Sequence, residues 1–177
     1  MLLSRPTAAE HSPFYSTYIN FIPENTDPIA LLQEQPTTLK ALLAPLSNEQ
    51  ALFRYAPGKW SIKEALVHMI DTERIFAYRA LRIGRGDQTP LPGFEQNDYV
   101  PASGADARSL ADIWAEYDAV RAATLALFSS FTTDTFDRMG TASNGPMSVR
   151  ALAYILPGHE ANHIAVFRER YLPALAQ

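Results

Sequence analysis

Four long segments of this chain place their apolar residues at helical spacing, and nothing in it alternates with period two over a useful length. A chain patterned this way buries its apolar stripes by packing helix on helix, so the expected fold is all-α, a bundle of four long helices. The first segment opens at Asp27-Pro28, a side-chain cap followed by proline in the first turn, and carries Ile29, Leu32, Leu39, Leu42 and Leu43. Pro36 lies inside it and is expected to kink or split it. The second opens at Ser61 with Glu64 three residues on, a capping box, and continues to about Ile83 before Gly84 and Gly86. The third spans about Ser109 to Phe131 and the fourth Ser148 to about Tyr171. Pro157-Gly158 interrupts the fourth, where a kink or π-bulge is expected.

The connections are less regular. Residues 1–26 read as an N-terminal arm with aromatics (Phe14, Tyr15, Tyr18, Phe21) that pack on a body formed by residues 27–177. Residues 85–108, rich in proline and glycine, read as a long loop bordering a binding pocket, with Phe94 and Tyr99 holding it in order. Thr132 to Met147 reads as a polar linker.

Composition excludes several classes of function. With 177 residues, 47% of them hydrophobic, the chain is long enough for one domain with a real core. It has no cysteine, which removes disulfides, thiolate ligands and a cysteine nucleophile. The net charge of −4 argues against nucleic acid as a partner. Arg74, Arg79, Arg82 and Arg85 recur along the second helix and are expected to form a solvated face. No apolar run reaches the length of a membrane span, and the expected location is cytoplasmic.

Chemistry concentrates in His159-Glu160-Ala161-Asn162-His163. Histidines four apart on a helix share a face, with Cβ atoms about 5–6 Å apart, and both imidazoles can reach one divalent ion. The string also fits His-Glu-x-x-His, in which the glutamate is the general base of a zinc protease. That reading needs a third ligand further along, and the acid available, Glu169, sits in the same helix where it cannot close a tetrahedron; no strand for aligning a peptide is evident. The alternative third ligand is His68, central in the second helix as the pair is central in the fourth. A lone histidine on such a face is more often core or surface, but antiparallel bundle helices bring their middles together, and three histidines leave a position open for water or substrate. Glu160, about 100° round the helix from His159, is then a supporting or surface residue. Glu64 and Asp71, at −4 and +3 from His68, are candidates to orient its ring. His11, before Pro13, is expected at the surface.

The run Arg54-Tyr55-Ala56-Pro57-Gly58-Lys59-Trp60-Ser61-Ile62-Lys63-Glu64, leading into Val67-His68-Met69-Ile70-Asp71-Thr72-Glu73, together with Gly158-His159-Glu160-Ala161-Asn162-His163, resembles the DinB-like superfamily. The resemblance covers most of the chain from about Asp27 onward. It implies an up-down four-helix bundle whose ligands to one divalent transition metal (Zn, Ni, Co or Fe) are His68, His159 and His163. Many such relatives carry a histidine where this chain has Asn162. The resemblance further implies an enzyme that activates a low-molecular-weight thiol as cofactor for S-transfer to a small-molecule electrophile. Alternatives are a metal-dependent hydrolase and a non-catalytic metal-binding bundle. A homodimer is compatible with all three.

Overall fold

The computed structural model describes residues 3–175. Its elements in chain order are α1 (Ser16–Asn20), α2 (Pro28–Leu43), α3 (Ile62–Gly84), α4 (Gln96–Ala102), α5 (Leu110–Ser129), a hairpin of β1 (Met139–Ala142) and β2 (Gly145–Ser148), α6 (Val149–Val166), and α7 (Leu172–Leu175). The four long helices α2, α3, α5 and α6 form the expected bundle. Their starts follow from side-chain caps. Asp27 accepts from the Ile29 N–H at 3.0 Å, and the Ser61–Glu64 capping box closes on both sides. Ser109 accepts from Asp112 N–H and Ser148 from Ala151 N–H.

The dominant packings are α3 on α5, α2 on α6 and α3 on α6, with α2 against α5 closing the ring. Consecutive helices α2 and α3 therefore sit diagonally, as do α5 and α6. Long connections, rather than tight αα-hairpins, permit that order. Two apolar clusters fill the bundle. One is centred on Leu32, Phe76, Ile83, Phe128 and Ile155, the other on Leu39, Leu66, Ile70, Ile113 and Phe167.

Several local expectations are corrected. Pro36 does not split α2, which runs unbroken through it. Its missing N–H leaves the Leu32 carbonyl without a helical donor, and Arg121 of α5 supplies one from Nη1 at 2.7 Å. The same guanidinium binds both Glu73 oxygens of α3, at 3.0 Å from Nε and 2.9 Å from Nη2, and pairs with Glu160 of α6. One side chain thus braces all four helices. Likewise α6 continues through Pro157, and the π-helical turn lies instead at Phe167–Tyr171. The Pro157 carbonyl accepts from Gln35 Nε2 at 2.7 Å.

The 85–108 segment is not all loop, since α4 forms within it, capped by Glu95 through the Asn97 N–H. The polar linker holds the β1–β2 hairpin, whose two-residue turn puts Ser143 and Asn144 at positive φ (52° and 62°), the type I′ geometry of two-residue hairpins. This hairpin gathers the periphery. Leu91 pairs with Ala142 along one edge and His11 with Met147 along the other.

In the arm Tyr15, Ile19 and Ile22 are buried, whereas Phe14 and Phe21, expected to pack, are exposed; α1 lies along α6. Gly158 allows this contact. A Cβ there would come within 2.1 Å of the Tyr18 carbonyl oxygen. His11 is buried rather than at the surface, its Nδ1 donating to the Ser12 carbonyl at 2.9 Å, because the arm folds it under the hairpin. Of the arginine row, Arg74 and Arg82 do pair with acids at the periphery, but Arg79 is only 1% exposed. It lies between the rings of Phe76 and Phe94 and donates to the Pro92 carbonyl at 2.8 Å and Ser143 Oγ at 3.0 Å.

Candidate metal centre

The stretch before α3 folds to present His68. Gly58 takes a left-handed conformation (φ 73°) at the turn, which its lack of a Cβ permits. Ser61 then starts the helix, and Arg54 ties the turn down through the Lys59 carbonyl at 2.9 Å and through Glu64. Trp60 is thereby laid against the His68 ring, centroid to centroid 4.7 Å. Glu64 is spent on this cap, and Asp71 lies beside Arg74 at 3.7 Å; neither orients His68. The partner of His68 Nδ1 is Thr72 Oγ1, one helical turn on, at 3.5 Å.

From α6, His159 and His163 project on the same face toward His68. His159 Nε2 lies 3.1 Å from His68 Nε2 and 3.2 Å from His163 Nε2, and the three ligand atoms all fall within 4.8 Å of one another. Tetrahedral zinc with Zn–N near 2.0–2.1 Å holds its nitrogens about 3.3 Å apart. The donor set therefore fits one divalent ion with three neutral imidazoles. The sequence-level ligand set His68, His159 and His163 comes together, and His11 is not part of it. Burial keeps these rings neutral. It lowers His68 to about 4 and, aided by His68, lowers His163 to about 3. His159 is likewise lowered well below its ordinary value, by burial first and then by its two neighbours.

Glu160 points away from this centre. It is 3% exposed, accepts from Tyr117 Oη at 2.8 Å, and pairs with Arg121. Burial raises its pKa even with Arg121 pulling the other way. Its place is the four-helix brace rather than the surface, and it is not set to act as a base on water at the histidines.

A cavity of about 460 Å³ opens onto His68 and His159. Its walls are Phe14, Tyr15 and Tyr18 from the arm, Phe76 and Thr72 from α3, Phe94 with Glu95, Gln96 and Asn97 from the segment around α4, and Ser143 from the hairpin turn. A second cavity, about 290 Å³, reaches His163 past Tyr55, Lys59, Trp60 and Tyr171, with Asn97 lining both. The sequence placed the 85–108 segment at the pocket. The arm's share was not visible from its pattern, although its cluster of aromatics was the available signal.

Three inward imidazoles on two facing helices of a bundle are a donor set that could hold one divalent ion. The profile of the DinB superfamily matches residues 31–167, and the chain belongs to that superfamily. A protein of Geobacillus thermodenitrificans (strain NG80-2) that carries the provisional name metal-dependent hydrolase is 30% identical over 152 residues, covering 80% of this chain and 83% of its own length. Among solved structures, YfiT from Bacillus subtilis, described as a probable metal-dependent hydrolase with an unusual four-helix bundle topology, superposes with a TM-score of 0.72 at 16% identity. That superposition covers 94% of this chain and 90% of YfiT, and it establishes the shared fold. Among the described residues no helix is long and apolar enough to cross a membrane.

Proposed function

We propose that this protein is a metal-dependent hydrolase of a small molecule, with His68, His159 and His163 holding one divalent transition ion at the floor of the larger cavity. The convergence of three neutral Nε2 atoms, those of His68 and His159 on residues lining that cavity, carries the reading. An ion so held supplies Lewis acidity toward water or a substrate oxygen. The chain's own residues do the rest. Thr72 orients His68, and Phe14, Tyr15, Phe76 and Phe94 form apolar walls that favour a substrate with an aromatic or aliphatic body. The names of the relatives support hydrolysis.

S-transfer from a low-molecular-weight thiol to an electrophile has one observation in its favour. The second cavity gives His163 a separate approach, which a two-substrate reaction uses and hydrolysis does not need.

The test is elemental analysis of the purified protein, followed by a screen of esters, amides and electrophiles with and without added thiol. The expected result is one equivalent of metal and turnover without thiol, both lost in His163→Ala while the far-UV helical signal persists. Turnover strictly dependent on thiol would replace hydrolysis by S-transfer. A fully loaded protein with no turnover under either condition would leave a metal-binding bundle.

A further inference from the structure

The match to the family profile begins at residue 31, yet part of the cavity wall comes from before it. Tyr18, in α1, packs its ring edge-to-face on His159 with centroids 5.2 Å apart, and Phe14 packs in turn on Tyr18 at 5.8 Å. The backbone beneath Tyr18 is held at several points. Gly158, the residue before His159, admits its carbonyl; Ile19 and Ile22 are buried on either side of the chain reversal; Arg5 Nη1 donates to the Ile19 carbonyl at 2.9 Å. This tyrosine is thus anchored directly over one of the three imidazoles.

Other tyrosine hydroxyls in the interior have protein partners. Tyr117 Oη reaches Glu160 at 2.8 Å, Tyr154 Oη the Leu3 carbonyl at 2.6 Å, Tyr171 Oη the Trp60 carbonyl at 2.8 Å, and Tyr15 Oη receives Arg79 at 3.5 Å. Tyr18 Oη, on a half-buried residue lining the cavity beside His68 and His159, has none among the described residues. Of the polar groups in that wall, Thr72 serves His68 and Ser143 receives Arg79. A neutral phenol hydroxyl carries one proton it can donate to a hydrogen bond.

We propose that Tyr18 is a catalytic residue contributed by the N-terminal arm, its hydroxyl donating a hydrogen bond to the substrate oxygen that gains negative charge at the three-histidine centre. The inference rests on the hydrolytic reading above. Donors aimed at such an oxygen contribute about 10²–10³-fold to kcat when preorganised. No proton changes hands permanently, so the step needs no co-reactant.

The test is Tyr18→Phe in the full chain loaded with cobalt(II), titrated with acetohydroxamate as an oxyanion-bearing probe and followed by the visible cobalt spectrum. Phenylalanine keeps the ring on His159 and removes only the donor. The expected result is an unchanged spectrum before the probe is added, an unchanged melting curve, and hydroxamate binding about tenfold weaker than in the parent. Equal affinity in the two proteins would overturn the role. A cobalt spectrum altered before any probe is added would also overturn it, because Tyr18 would then act on His159 through packing. A parent protein that takes up no cobalt would defeat the hydrolytic reading itself, a failure distinct from either.

Discussion

Replacing Arg121 by methionine removes a side chain that joins α5, on which it sits, to α2, α3 and α6. Arg121 is 3% exposed and faces Glu73 and Glu160, 5% and 3% exposed. Burial opposes its charge, but the two carboxylates outweigh burial and hold its pKa above the ordinary value. Breaking a buried ion pair by deleting one partner costs about 3–5 kcal/mol, because the surviving charge is stranded. The Leu32 carbonyl, which Pro36 cannot serve, adds about 1–3 kcal/mol as an unsatisfied buried acceptor. A loss of about 4 kcal/mol or more corresponds to a drop in Tm of roughly 8–16 °C for a chain of this size, and it is a large fraction of the roughly 5–15 kcal/mol that a domain has. The assay is urea unfolding at 222 nm as a function of pH. In Arg121→Met, Glu160, which burial already raises, loses the guanidinium that pulls its pKa down, so the folded protein gains by protonating it. The deficit should therefore shrink as pH falls from 7 toward 5. Adding Glu73→Gln and Glu160→Gln should recover part of the loss at pH 7. A deficit under about 1 kcal/mol, or one with no pH dependence, would refute the brace.

Three further outcomes follow from the same structure. In metal-free protein the unfolded histidines titrate near 6.5 while His68 waits until about 4, so the unfolded chain binds protons first as pH falls. Stability should then decline between about pH 6.5 and 4, with about 3 kcal/mol from His68 alone, and a flat urea midpoint over that window in chelator-treated protein would contradict the assignment. Glu160→Gln should keep full metal content and turnover while costing about 1–3 kcal/mol of stability through its lost pairing with Arg121; loss of all turnover with metal intact would make it the base after all. Gly158→Ala should push the arm off α6, costing about 1–3 kcal/mol as overpacking and raising hydrogen exchange in residues 12–22. Unchanged protection there would show that the arm does not depend on that approach.

What the chain declares locally is what physics makes local. The helix starts at Asp27, Ser61, Ser109 and Ser148 depend on side chains bonding N–H groups two or three residues away, so they can be read from adjacent letters. The His159/His163 pair is equally local, being one turn of one helix, whereas His68 joins it through the packing of α3 on α6 and lies in the first third of α3 rather than at its middle. The run Ser143-Asn144-Gly145 is a turn signal, although the strands it joins are only four residues long and their burial does not alternate cleanly.

The remainder depends on partners distant in sequence. Arg121 meets residues 39 to 89 positions away, and nothing in the period of α5 distinguishes a buried arginine from a solvated one. Arg79 looked like a surface residue for the same reason, until the 85–108 segment and the hairpin turn closed over it. Pro36 reads as a helix breaker only while its orphaned carbonyl lacks a donor, and the donor comes from another helix. The arm's position over His159 hinges on a missing Cβ at Gly158 meeting a backbone oxygen 140 residues earlier. Periodicity states which face of an element is buried. Which groups meet across that face, and hence which charges are paired and which hydroxyl is left free beside the three histidines, is decided only when the helices pack.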